Sequence, residues 1–115
     1  MHRLAEDRLE FLEDGKVAYT YITQEDEEKV DAQSGDHEGI VEVGRDIEGV
    51  EVSIFVRQTE KGCKISLRSN DYVNVSDVCL ILGGGGHPRA AGALMQGSLE
   101  QVKEKILYQV RSQLK

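Results

Sequence analysis

Residues 80–95 read LILGGGGHPRAAGALM. Four consecutive glycines lead into His87, the chain's single proline at Pro88, and Arg89, and the small residues Ala90, Ala91 and Gly92 follow. Without Cβ atoms, successive backbone N–H groups can converge on an anion such as a phosphate. His87 adds a donor that can be cationic near neutral pH. Arg89 offers a bidentate fork for phosphate oxygens. Pro88 fixes its own φ and can pre-set a first helical turn. A flexible linker fits poorly, because both flanks, 78–82 and 90–94, are apolar and ordering glycine costs entropy. The structural alternative is a tight turn that lets a helix abut a strand. The spacing is neither the dinucleotide fingerprint nor a Walker loop, since no Lys-Ser/Thr follows.

A second group stands upstream. In KISLRS, strand alternation puts Lys64, Ser66 and Arg68 on one face. The plain reading is a solvent-facing polar side. Its nearness to the glycine run makes a second set of phosphate contacts the alternative. Other candidates are weaker. Asp36, His37 and Glu38 in GDHEG read as a polar loop rather than a metal site. Cys63 and Cys79 lie in apolar segments without Cys-x-x-Cys spacing and read as buried free thiols. With 3 histidines and no cluster of them with aspartates, a two-metal phosphoesterase centre cannot be assembled from this chain.

The elements that must position these residues follow from periodicity. Asp14-Gly15 separates two alternating segments and predicts a hairpin of strands at 7–13 and 16–23. Thr23 with Asp26 three residues on predicts a helix start, and Ile40, Val43 and Ile47 make a second helical stripe stopped by Gly49. Val50, Val52, Ile54 and Val56 alternate as a strand, the 60–62 turn follows, and Cys63, Ile65 and Leu67 alternate as its hairpin partner. NVSDVCLIL predicts a short helix capped by Asn74 or Ser76, and AAGALMQG a short strand. The last helix starts at Ser98, with Gln101 completing a capping box and Leu99, Val102, Ile106, Val110 and Leu114 facing the core. The fold class is α/β (α+β): one domain, a mixed sheet packed with helices.

Bulk properties agree with one domain. At 115 residues, roughly two thirds of the unfolded surface can be buried without disulfide staples. No segment is long or apolar enough to span a bilayer, and no signal peptide is evident, so a cytoplasmic protein without membrane partners is expected. The net charge of −7 argues against a domain that grips long duplex by bulk electrostatics. The acids concentrate in the first half, while Arg57, Lys61, Lys64 and Arg68 make a local basic run.

Taken together, GGGGHPRAAG, the upstream KISLRS, the VNVSDVCLIL helix and the Asp-Gly hairpin resemble the DHH-associated domain, type 1, from about Arg8 onward. This is the substrate-binding, C-terminal domain of DHH-family phosphoesterases, and the likeness leans toward the nanoRNase/pAp phosphatase group, with RecJ-type exonucleases as relatives. The resemblance implies that Gly84, Gly85, Gly86, His87, Ala90, Ala91 and Gly92 form the loop motif and that Arg68 and Ser69 are the arginine-serine pair. Together they hold the phosphate end or backbone of a short RNA or nucleotide. Arg57 and Arg89 join them on physical grounds. It further implies an Asp-His-His catalytic domain in cis, carrying manganese, with no cofactor in this chain and a homodimer as a possible full-length state. Asp36-His37-Glu38 departs from that catalytic motif. The function expected is substrate binding for hydrolysis of short oligoribonucleotides or 3′-phosphoadenosine 5′-phosphate. The alternative is a non-catalytic RNA-binding module appended to another enzyme, as in alanyl-tRNA synthetase-like or RecJ-like proteins.

Overall fold

The computed structural model describes residues 8–25 and 49–114. Within them lie six strands and two helices: β1 (Glu10–Leu12), β2 (Val17–Ile22), β3 (Val52–Thr59), β4 (Gly62–Ser69), α1 (Val75–Ile81), β5 (Gly85–His87), β6 (Ala90–Met95) and α2 (Leu99–Arg111). The strands form one mixed sheet in the order β1-β2-β3-β4-β6-β5. The expected α+β class is borne out. Gln24 and Glu25 are helical, but the rest of the two helices expected before residue 49 lies outside the described residues.

The alternation in β3 and β4 sets the two faces of the sheet. Ile54 pairs with Leu67 and Val56 with Ile65 across an antiparallel ladder, and all four are buried. Val17 pairs with Val52 and Tyr19 with Ile54 in the one parallel contact among the described residues. A parallel pair needs a long crossover, here the stretch from 23 to 51. On this face α1 contributes Val75, Val78 and Cys79, and α2 contributes Val102, Ile106, Leu107 and Val110, to one continuous core. Leu99 and Leu114, expected in the core stripe, pack at its margin, and Leu107 takes a fully covered place instead.

Local signals explain the element ends. Ser98 and Gln101 exchange bonds as a complete capping box on α2. The Asn74 side chain accepts from Asp77 N–H at 3.0 Å and caps α1. The first hairpin departs from the two-residue form. Glu13, Asp14 and Gly15 are all left-handed, so the turn takes four residues and β1 keeps only three. α2 is fastened over this hairpin by Lys103–Glu10 at 3.0 Å and Arg111–Glu13 at 2.9 Å.

The glycine run differs most from expectation. It is not an open loop. Gly83 N–H donates to Leu80 O and Gly84 N–H to Cys79 O, a Schellman ending of α1 with Gly83 at φ +100°. The chain then continues as β5, a strand that sequence reading missed, paired with Ala90–Gly92 of β6. Pro88 and Arg89 form the two-residue turn of that hairpin, so Pro88 starts no helix. A Cβ on Gly84 would lie 2.1 Å from Gly92 O and 2.5 Å from Ala93 Cβ. Close backbone approach is therefore what demands glycine here, whereas a Cβ on Gly85 meets only Leu80 Cδ2, at 3.6 Å.

Both cysteines are free and buried, as expected, and burial raises both thiols, Cys79 to about 11. Two outcomes follow. Gly84→Ala should lower unfolding stability by about 3 kcal/mol or more in urea titration, the upper range for overpacking, while Gly85→Ala stays within about 1 kcal/mol of the parent. At pH 8, neither Cys63 nor Cys79 should react with a thiol reagent on the timescale of a free thiol, and both should react once urea unfolds the chain.

Candidate functional site

The second face of the sheet carries the polar residues of β4. The register puts His87 beside Ala90 and Ala90 beside Arg68, one row across three strands. Two strand spacings separate His87 from Arg68 at their Cα positions, about 10 Å. The next row is Gly85, Gly92 and Ser66, and Leu94 lies beside Lys64 further along. Small residues between two polar margins leave a trough. Among the described residues it is lined by Arg57, Thr59, Glu60, Lys61, Lys64, Ser66, Arg68, Gly85, Gly86, His87 and the β6 strand, with a volume of about 940 Å³. That is the size of a small-ligand site.

Among the described residues the lining carries Arg57, Lys61, Lys64 and Arg68 and one carboxylate, Glu60. The described lining is thus rich in basic side chains in a chain of net charge −7. A concave cationic surface concentrates anions beyond what net charge suggests. The structure brings Arg57, Arg68, Gly85, Gly86, His87, Ala90, Ala91 and Gly92 together here. Gly84 stands behind them, closing the β5–β6 approach.

Ser69 and Arg89 occupy a different place. Ser69 is 1% exposed, and its hydroxyl lies 2.7 Å from Val73 O and 3.3 Å from Pro88 O. Ser69 N–H donates to Arg89 O at 3.0 Å. Arg89 Nη1 donates to Val73 O and sits 3.4 Å from Ser69 Oγ. Val75 N–H donates to Pro88 O at 2.9 Å. These bonds fasten the Pro88-Arg89 turn to the segment before α1. They set where His87 stands, one residue ahead.

The segment itself hangs on Glu51, which sequence reading passed over. Glu51 is 7% exposed. Its Oε2 accepts the N–H groups of Asp71, Tyr72 and Val73 at 3.0, 2.8 and 3.0 Å. Its own backbone O accepts from Asn70 N–H at 2.9 Å, and Asn70 Nδ2 donates to Val50 O. Three convergent N–H groups form an anion nest, here filled from within the chain. The nest's members lie 20 to 22 residues from Glu51, so no local pattern announces it. Among the described residues no group of three or more His, Cys, Asp or Glu is placed to hold a metal ion.

The nest yields a test. Glu51→Ala strands three donors, the Val73 N–H buried and those of Asp71 and Tyr72 partly so, and a buried donor left without an acceptor costs about 1–3 kcal/mol. It should destabilise the chain by about 3 kcal/mol or more and shift the amide signals of residues 71–73 and 87–89 in NMR spectra. Glu51→Gln keeps an acceptor oxygen and should recover at least half of that loss.

Comparison with known proteins gives this geometry a family. The model of the DHHA1 domain matches residues 14–115. The bifunctional oligoribonuclease and PAP phosphatase NrnA of Thermus thermophilus is 44% identical over 80 residues, which are 69% of this chain and 25% of that protein. The crystal structure of an exopolyphosphatase-related protein from Bacteroides fragilis superposes with a TM-score of 0.86 at 28% identity, over 94% of this chain and 32% of that one. The C-Ala domain of Aquifex aeolicus alanyl-tRNA synthetase shares the fold alone, with a TM-score of 0.60 at 13% identity, over 89% of this chain and 96% of that domain. This chain thus spans about a quarter of NrnA and a third of the Bacteroides protein. The match over nearly its whole length makes this chain a member of the DHHA1 domain family.

Proposed function

We propose that this chain is the substrate-binding domain of a DHH-family phosphoesterase acting on short oligoribonucleotides, 3′-phosphoadenosine 5′-phosphate or both. The observation that carries the proposal is the His87–Ala90–Arg68 row in a trough whose described lining is rich in basic side chains. Two donors about 10 Å apart at their Cα positions, with small residues between them, can converge on one phosphate group. The flat floor of Gly85, Gly92 and Ser66 leaves room for the rest of a nucleotide. In this proposal Arg68 and His87 hold phosphate oxygens, while Ser69 and Arg89 keep the His87 turn in place. Arg57 adds charge along the wall.

Cleavage is assigned to the catalytic Asp-His-His domain in cis, where manganese would activate the attacking water. NrnA's two named activities, and its length beyond the part matched here, support that division of labour. The competing reading is a non-catalytic RNA-binding module, to which the alanyl-tRNA synthetase neighbour lends its fold.

Calorimetric titration separates these readings. The chain should bind 3′-phosphoadenosine 5′-phosphate and short phosphorylated RNA. Arg68→Ala should cost on the order of 1.5–3 kcal/mol of that binding, the range of one charge-assisted hydrogen bond. With manganese added, the chain alone should leave the RNA intact. Turnover by the chain alone overturns the division of labour. Binding that grows with RNA length without regard to a terminal phosphate supports the appended module instead.

A further inference from the structure

His87 is bracketed by hydrogen bonds to the start of α1. Ser76 Oγ donates to Gly86 O at 3.2 Å on one side of it, and Val75 N–H donates to Pro88 O at 2.9 Å on the other. Arg89 Nη1 donates to Val73 O one residue further on. The strip from Val73 to Ser76 thus holds the hairpin turn through residues 73, 75 and 76. Asn74, between them, spends its backbone elsewhere. Its N–H donates to Gln113 Oε1 at 2.8 Å, and its carbonyl accepts from Gln113 Nε2 at 3.1 Å. One side-chain amide therefore pairs with both backbone groups of one residue, the reciprocal exchange seen between neighbouring strands. Gln113 lies 39 residues from Asn74, just past the end of α2. Its own N–H donates to Val110 O at 3.0 Å, Val110 is fully buried, and Leu114 packs at the core margin. The amide is thus launched from an anchored turn and backs the strip on the side away from the hairpin.

We propose that Gln113 is a positioning residue for His87: through Asn74 it fixes the strip 73–76, and the strip fixes the direction from which the imidazole reaches a phosphate oxygen. The inference rests on the proposed function, in which His87 and Arg68 hold the phosphate, and it adds a residue that touches no ligand. The dependence is one-sided. Arg68 lies in β4, with a ladder to β3 on one side and to β6 on the other. His87 ends the edge strand β5, where Ala90 is its one strand partner among the described residues. The bracket from α1 is what such a residue needs, since a hydrogen bond weakens steeply when its donor is turned out of line. Loss of the Gln113 amide therefore weakens the His87 contact and spares the Arg68 contact.

The test is a double-mutant cycle in the 115-residue chain. Gln113→Met keeps the length of the side chain and removes the amide. It should weaken binding of 3′-phosphoadenosine 5′-phosphate about threefold or more in calorimetric titration. In NMR spectra of the unliganded chain it should shift the His87 ring signals and the amides of 73–76 and 86–89, and leave the methyl signals of the buried Val56 and Ile106 in place. Combined with Arg68→Ala, Gln113→Met should cost its full factor again. Combined with His87→Ala, it should cost nothing further, because the contact it serves is already gone. A general loss of stability would lower affinity in both backgrounds alike. The same cost in the His87→Ala background, or unmoved His87 signals, overturns the positioning role. Absence of binding by the parent chain overturns the proposed function and is a separate outcome; the His87 ring signals of the unliganded chain then decide by themselves whether Gln113 sets that side chain.

Discussion

The groove depends on one buried carboxylate. Glu51 gathers three N–H groups from residues 71–73 and so fixes a segment without regular structure against the sheet. Val73 O, held in that segment, is the acceptor shared by Ser69 and Arg89. Pro88 O is shared by Ser69 and Val75. The position of His87 is thus set through a chain of hydrogen bonds that begins on β3's approach and ends at the hairpin turn. Loss of the carboxylate leaves one buried and two partly buried donors without acceptors, which is more costly than a missing exposed contact.

The same arrangement separates the groove face from the scaffold behind it. Arg68 and His87 stand on the groove side of the register row. Ser69 is buried one position on, and Arg89 turns its guanidinium back onto carbonyls. Adjacent residues of one strand point to opposite faces. An arginine-serine pair therefore divides naturally into one residue on the groove face and one in the scaffold. The glycines divide in the same way: Gly83 closes α1, Gly84 permits close packing, and Gly85 faces the trough.

Much of this was legible in the residues. The β3–β4 hairpin, both helices with their caps, the β6 strand and the face shared by Lys64, Ser66 and Arg68 follow from alternation and capping chemistry, which are local. The family follows from the glycine-histidine motif with its upstream arginine. Three things escaped. β5 is a strand made of glycines and a histidine, whose intrinsic preference points to a loop, and it pairs because β6 presents small residues to it. Arg89 reads as a phosphate ligand by type, yet folding supplies Val73 O, a neighbour 16 residues away. Glu51 finds its partners only after β4 has returned beside β3. What was missed is what long-range contact decides.

β5 also has a bearing on the solubility of the sheet. A sheet's last strand exposes unpaired backbone groups that invite another chain to add itself. Without the hairpin, the edge would be the six-residue β6. With it, the edge is a three-residue, glycine-rich strand, and its central carbonyl, Gly86 O, already accepts the Ser76 hydroxyl at 3.2 Å. The motif that shapes the groove is therefore also a guard against edge-to-edge aggregation. A substitution that prised β5 away would threaten self-association as well as recognition.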